Sequence, residues 1–172
     1  SGSDIGKIRI WEVLPSGEEK ILHNGHWEET AEDSTETRGF FIEDDGGFQK
    51  PMEFWIGAMT FTPDAKILIT GSRDNTIRFF EMPTMNELRV LRGHNGWVRS
   101  LTVSPDGKVL ISAGDDSTIR FWDIATGRNF RTDKTHTGAV RGVALSPDGL
   151  RLASASWDRT VKLWEGGQEP AE

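Results

Sequence analysis

The hydrophobic positions of residues 97–124 fall into three short runs separated by polar turns. The runs are WVRSLTV (97–103), KVLISAG (108–114) and TIRFWDI (118–124), where apolar residues alternate with polar ones or are continuous, with many β-branched side chains. The intervening SPDG and GDDS segments are typical of turns, because Asp side chains can bond their own backbone there. The pattern predicts three consecutive strands, and a looser fourth strand is expected at 87–91 (ELRVL) or 128–132 (RNFRT).

The same pattern returns every 42 residues. The recurring residues are a proline in the first turn, an aspartate in the second turn, a histidine and a tryptophan: Pro63, Pro105 and Pro147; Asp74, Asp116 and Asp158; His94 and His136; Trp122 and Trp164. Four strands in a repeat of this length form one blade of a β-propeller. The sequence therefore predicts an all-β fold of about three four-stranded antiparallel blades.

Three of these segments resemble the WD-repeat family of β-propellers. They are RGHNGWV (92–98), SPDGKVLISAGDD (104–116) and IRFWD (119–123), and the family carries Gly-His early in each repeat and Trp-Asp at its end. SPDGLRLASASWDRTVKLWE matches equally well, and the resemblance covers residues 5–23 and 55–165. It implies a propeller, partial or assembled into a ring, that acts as a non-catalytic scaffold for protein or peptide partners.

The resemblance also implies a buried polar network within each blade. Histidine, serine, aspartate and tryptophan are expected to meet in two sets: His94, Ser112, Asp116 and Trp122; His136, Ser154, Asp158 and Trp164. An unpaired buried polar group costs about 1–3 kcal/mol, so the network stabilises a blade only when every member has a partner. The first complete blade has Thr70 and Asp74 in place, but Phe80 has no N–H to donate. Its network is expected to be incomplete.

A second set of positions is expected to bind the partner at the top face of the propeller. In the family, partner-binding side chains often lie just before the first strand, two residues earlier, and immediately before the turn aspartate. These positions hold, in that order, Trp55, Trp97 and Ala139; Glu53, Asn95 and Thr137; Arg73, Asp115 and Trp157. Trp and Arg are enriched among the residues that dominate interface energies. The alternative is that the three indoles only cover the ends of the core.

The chain divides into a short leader, the propeller region and a tail. Residues 1–4 are interpreted as a cloning scar, residues 5–165 as blades with an insertion at 27–54, and residues 166–172 as a tail. The insertion begins acidic and then carries Phe40, Phe41, Ile42, Phe48 and Phe54. It is interpreted as a loop packed on a neighbouring blade, with a lobe for a basic protein surface or a disordered segment as alternatives.

The predicted strands do not fill a closed ring. Residues 7–13 and 18–22 are expected to form a third and a fourth strand, which gives an inventory of two, four, four and three strands. Closed propellers have about four to eight blades. The chain is expected to be the C-terminal part of a longer propeller; copies that pool their blades, or an open monomer of three blades, are the alternatives.

Composition and charge narrow the class of partner. The 172 residues carry a net charge of −7 and include no cysteine, so nucleic acid and anionic membranes are disfavoured and no disulfide or thiolate metal site is expected. Neither a membrane span nor a secretory signal is visible. The expectation is a cytoplasmic protein with no cofactor and a protein or peptide partner.

Two chemical alternatives are weaker. A Ser, His and Asp set suggests a nucleophilic triad, but an enzyme needs one such set in one cleft and here it recurs at a fixed period. His23 and His26 with Glu28 and Glu29 have a spacing that suits a metal ion, yet His26 is interpreted as the Gly-His residue of its blade and His23 as a strand residue. The remaining alternative is a regulatory or sensor propeller belonging to a larger enzyme whose catalytic domain lies outside this chain.

Overall fold

A computed structural model describes residues 55–165 in full and, before them, the backbone of five short strands. The strands are β1 (Trp11–Val13), β2 (Glu19–His23), β3 (His26–Glu29), β4 (Phe41–Glu43), β5 (Gln49–Pro51), β6 (Ile56–Phe61), β7 (Ile67–Ser72), β8 (Thr76–Glu81), β9 (Glu87–Arg92), β10 (Val98–Val103), β11 (Val109–Gly114), β12 (Ile119–Asp123), β13 (Asn129–Asp133), β14 (Val140–Leu145), β15 (Arg151–Ser156) and β16 (Val161–Glu165). Within these ranges, no helix is long and apolar enough to cross a membrane.

The strands after residue 55 form three successive antiparallel sheets. Blade A has the order β6-β7-β8-β9, blade B has β10-β11-β12-β13, and blade C has β14-β15-β16. Each strand pairs with the next one along the chain, as short polar turns require. The predicted all-β fold of propeller blades is confirmed. Among the described residues, β16 has no strand on its outer side.

Each blade begins with a β-bulge in its first strand. In blade B, Val98 lies opposite Gly114 while Ser100 lies opposite Ala113, so Arg99 is the extra residue of the bulge. The same shift occurs between Ile56 and Ala58 in blade A and between Val140 and Gly142 in blade C. A bulge redirects the side chain of its extra residue and increases the local twist.

The hydrophobic core lies between neighbouring blades. The inner strand of blade B presents Val98 and Leu101 to blade A, where they pack with buried residues of β7 and β8: Ile69, Ile77 and Phe79. A Cβ on Gly71 would lie 2.5 Å from Cγ1 of Val98, so glycine allows this close approach. The interface between blades B and C repeats the arrangement with Ile111, Ala113, Ile119, Val140 and Val143. Apolar burial therefore joins the blades side by side.

Blade C exposes the face that blades A and B bury. Val161 and Leu163 on β16 are 69% and 78% exposed, whereas Ile77 and Ile119, which occupy the position of Val161 in the other two blades, are 1% exposed. Blade B covers Ile77 and blade C covers Ile119. We call Val161 and Leu163 with their surroundings the outer face of blade C.

The strands before residue 55 form two further sheets, β1-β2-β3 and β4-β5. The described residues therefore hold sixteen strands, and the inventory of thirteen was too low because β3, β4 and β5 lie in the segment interpreted as an insertion. His23 lies on β2, as predicted. The interpretation of His26 as the Gly-His residue of its blade implies a loop position like that of His94, but His26 begins β3 and pairs with His23. The two intervening residues are Asn-Gly, the dipeptide that most favours a two-residue hairpin turn.

Candidate functional site

A chain of hydrogen bonds crosses the interior of blade B. The indole Nε1 of Trp122 on β12 donates to Ser112 Oγ on β11 at 2.8 Å. Ser112 Oγ lies 2.7 Å from Nε2 of His94, which stands in the loop before β10. Nδ1 of His94 lies 2.9 Å from Oδ2 of Asp116 in the turn after β11. The structure thus brings together all four residues that the sequence places in this set.

One arrangement of protons gives a partner to every polar atom of this hydrogen-bond network. Burial alone raises the pKa of Asp116, but hydrogen bonds from His94, Asn95 and Thr118 outweigh it and hold the pKa well below its usual range. An ionised carboxylate only accepts, so Nδ1 of His94 donates to Asp116. Nε2 then accepts from the Ser112 hydroxyl, which itself accepts from Trp122. Such a satisfied network fixes the relative positions of the loop, two strands and a turn.

Blade C repeats the network with a looser tryptophan bond. His136 Nδ1 lies 2.7 Å from Oδ2 of Asp158, and its Nε2 lies 2.8 Å from Ser154 Oγ. The bond from Trp164 Nε1 to Ser154 Oγ is 3.2 Å long. Trp164 is only half-buried, whereas Trp122 is buried. The Trp164 bond lies at the edge of the described array, where no strand covers β16.

Blade A has no equivalent network. Thr70 Oγ1 is buried without a hydrogen-bond partner, at the position that Ser112 and Ser154 hold in the other blades. Phe80 replaces the tryptophan that would donate to it, and Met52 stands 42 residues before His94. Asp74 instead accepts from Thr76 and from Arg78 Nη2 at 3.0 Å. Asp74 therefore lies in its predicted turn, whereas the Thr70 hydroxyl has no hydrogen-bond partner.

The connectivity of Ser112, His94 and Asp116 matches that of a nucleophilic triad, but its burial does not. Ser112 is 0% exposed and its oxygen already accepts from Trp122. A nucleophile must reach a substrate carbonyl in a cleft. The network in blade B is therefore a structural element, and the same arrangement recurs in blade C.

Arginine and tryptophan side chains from the three blades lie together at one end of the sheets. It is the end that also carries the loops with His94 and His136. We call this set the Arg–Trp face and define it as Trp55, Arg73, Trp97, Arg99, Asp115, Arg141 and Trp157. Five of these positions are predicted from the sequence; Arg99 and Arg141 are new. Of the other predicted residues, Asn95 is exposed and gives its backbone N–H to Asp116 at 2.9 Å, and Glu53 lies outside the described residues.

The aromatic rings of the Arg–Trp face are each covered by a guanidinium group. Trp55 and Trp97 meet edge to face with their centroids 6.4 Å apart, and the Arg73 guanidinium lies 5.3 and 5.7 Å from the two rings. The Arg99 guanidinium lies 3.5 Å from the centre of the Trp97 ring, and that of Arg141 lies 3.6 Å from the Trp157 ring. At these distances, cation–π attraction holds the long Arg side chains in place.

Asp115 joins two of the arginines. It accepts from Arg99 Nε and Nη2 at 3.0 and 2.8 Å, and its Oδ1 lies 3.4 Å from Arg141 Nη1. The contact is bidentate on the Arg99 side, which is the stronger kind of Arg–carboxylate contact. Asp115 therefore contacts guanidinium groups from two neighbouring blades.

The bulges explain why Arg99 and Arg141 belong to the face. Both are the extra residues of their bulges, and Gly57 occupies the same place in blade A. A Cβ on Gly57 would lie 2.4 Å from Nε1 of Trp97, so the missing side chain makes room for the indole. The signal in the sequence is the interval of 42 residues between Gly57, Arg99 and Arg141. Strand patterns alone do not reveal a bulge.

The chemistry available on the Arg–Trp face is non-covalent recognition. The face contains three guanidinium groups stacked on three indole rings, and one carboxylate that contacts two of the guanidinium groups. Among the fully described residues, no group of three or more His, Cys, Asp or Glu side chains is arranged to hold a metal ion.

Comparison with known families gives one match, repeated three times. The family described as WD domain, G-beta repeat, matches residues 50–81, 85–123 and 127–165, which together make up more than half of the chain. The second match begins before β9, the outer strand of blade A, and ends with β12, the third strand of blade B. Each sequence repeat therefore links two neighbouring blades.

Proposed function

Because the chain belongs to the WD-repeat family, whose domains are in general non-catalytic scaffolds for protein–protein interaction, we propose that it binds a protein or peptide partner through the Arg–Trp face. The observation that carries this proposal is the alignment of three tryptophans and three arginines along one end of three blades. Trp157 is 69% exposed and Trp55 is 43% exposed, so both are available to a partner. Their amphipathic rings provide area at low cost in side-chain entropy.

Replacing Trp55 and Trp157 together with alanine is expected to reduce partner recovery at least about tenfold, since interface tryptophans often contribute 2 kcal/mol or more. The measurement is quantitative pull-down with the tagged chain as bait. Phe130→Ala is the matched control, because Phe130 is an exposed aromatic residue on β13 and lies outside the Arg–Trp face. Unchanged recovery with the double variant, or an equal loss with the control, would contradict the proposal.

A second surface, the outer face of blade C, is proposed to associate with a further blade from a second copy or from another chain. The support is the contrast in exposure between Val161 and its buried counterparts Ile77 and Ile119. Large exposed apolar surface and an unpaired strand edge both favour association.

Light scattering tests this association. The chain is expected to show a mass above that of a single copy at micromolar concentration, and Val161→Lys with Leu163→Lys is expected to restore the mass of one copy. Leu150→Lys serves as the control and is expected to leave the mass unchanged, because Leu150 is an exposed residue directly after the SPDG turn (146–149) of blade C. A single-copy mass for the unaltered chain would contradict self-association through this face.

The remaining alternatives have less support. No observation among residues 55–165 favours a regulatory propeller of a larger enzyme over a scaffold. The acidic part of residues 27–54 stays a possible second contact with a basic protein, and its side chains lie outside the described residues. The cytoplasmic location expected from the lack of cysteine also stays a prediction.

A further inference from the structure

We propose that the partner presents an acidic segment to the Arg–Trp face, an extended stretch with several Asp or Glu side chains. This inference rests on the proposed function and adds the charge and shape of the ligand.

The local charge of the face is opposite to that of the whole chain. Arg73, Arg99 and Arg141 outnumber Asp115, the one carboxylate of the set, whereas the chain carries a net charge of −7. The carboxylates of the nearby Asp116 and Asp158 are buried, with side-chain exposures of 7% and 9%. Each accepts from a histidine and a threonine inside its own blade, so neither lies among the exposed groups of the face. A positive patch on an acidic protein favours partners with concentrated negative charge.

Donor groups of the three arginines remain available to a ligand. Asp115 accepts hydrogen bonds from Nε and Nη2 of Arg99, which leaves Nη1 of Arg99 for a ligand. Arg141 contacts Asp115 through Nη1 and leaves Nη2 for a ligand, whereas its Nε is buried. Arg73 is exposed and lies over rings rather than carboxylates. Guanidinium groups fit carboxylates with two parallel bonds, which adds geometric selectivity to the charge attraction.

The arginines also disfavour a basic ligand. A lysine or methylated lysine would bind by stacking its cation on an indole ring. The faces of Trp97 and Trp157 already carry guanidinium groups at 3.5 and 3.6 Å. A second cation at these rings would meet a like charge, which costs binding energy.

The spacing of the rings suits an extended peptide. Trp55 and Trp97 lie 6.4 Å apart. Side chains on the same side of an extended chain are about 6.6–6.8 Å apart, because each residue advances by about 3.3–3.4 Å. An extended segment thus presents alternate side chains at the interval between Trp55 and Trp97.

Fluorescence anisotropy with labelled peptides tests the inference. The probes are a peptide of alternating Glu and Ser, its Gln counterpart, its Lys counterpart, and an oligothymidylate of matched charge. The Glu peptide is expected to bind at least about tenfold more tightly than the Gln and Lys peptides and than the oligothymidylate. Arg73→Gln with Arg141→Gln is expected to weaken the Glu peptide about tenfold or more, whereas Arg151→Gln, an exposed arginine on β15 outside the face, is expected to change it less than twofold.

Asp115→Asn gives a readout that loss of structure would not produce. It removes the competing carboxylate, so the Glu peptide is expected to bind about three- to tenfold more tightly. Equal binding of Glu and Gln peptides would overturn the acidic ligand while leaving the Arg–Trp face intact, provided that Trp55→Ala with Trp157→Ala still loses the native partner. Oligothymidylate binding as tight as that of the Glu peptide, or an equal effect of Arg151→Gln, would also overturn it.

Discussion

Replacing Ser112 with alanine is expected to lower the free energy of unfolding by about 2–4 kcal/mol. The substitution removes the one oxygen that joins Trp122 and His94, and it leaves the indole N–H and Nε2 of the imidazole buried without partners. Each buried polar group that loses its partner costs about 1–3 kcal/mol. Denaturant titration followed by circular dichroism measures the change.

Thr70→Val is the matched control for this prediction. Thr70 holds the same position in blade A and is also fully buried, but its hydroxyl has no partner. Valine has nearly the same shape, so the substitution is expected to be neutral or to stabilise the chain by up to about 1 kcal/mol. Equal losses in the free energy of unfolding for Ser112→Ala and Thr70→Val would show that these positions matter for packing alone. That result would contradict the buried network.

Gly57→Ala is expected to cost about 1–3 kcal/mol and to displace Trp97. The new Cβ would lie 2.4 Å from Nε1 of Trp97 and 2.6 Å from the backbone oxygen of Val98, so Trp97 must turn away and the backbones of blades A and B must move apart. Denaturant titration measures the loss of stability. Since Trp97 belongs to the Arg–Trp face, recovery of the partner is expected to fall as well.

Gly142→Ala provides the control for Gly57→Ala. Gly142 lies in the first strand of blade C, beside its bulge, and a Cβ there would meet nothing within 4 Å. Alanine at this position is expected to leave stability unchanged or to raise it by about 0.4–1 kcal/mol, because it restricts the unfolded chain. A loss at Gly142 as large as at Gly57 would refute the argument from close contact.

The strands, turns and networks could be predicted because they depend on short-range patterns that recur. A turn such as SPDG depends on residues close in sequence. The Ser104 hydroxyl, for example, donates to Asp106 Oδ1 at 2.6 Å and accepts from the backbone N–H of Val109. The network residues could be placed because the chain resembles the WD-repeat family, which implies the set of four residues. The recurrence of His94 and Trp122 at 42 residues as His136 and Trp164 then extends the set to the next blade.

The rest could not be predicted because it depends on how strands align with one another. The bulge that directs Arg99 onto Trp97 is a shift in the register between β10 and β11, which the pattern of a single strand does not contain. His26 was misplaced for a related reason. A Gly-His pair precedes a blade at His94, but at His26 the Asn-Gly dipeptide joins two paired strands. A local motif is therefore interpreted correctly only when the pairing of its strand is known.

The most direct test of the buried network is a double-mutant cycle between Ser112→Ala and Trp122→Phe. Trp122 donates to Ser112 at 2.8 Å inside blade B, and phenylalanine removes that donor while keeping an aromatic ring. We expect a coupling energy of about 1–2 kcal/mol, because either substitution alone already breaks the bond. Losses that add within about 0.3–0.5 kcal/mol would show that the two residues act independently and would contradict the buried network.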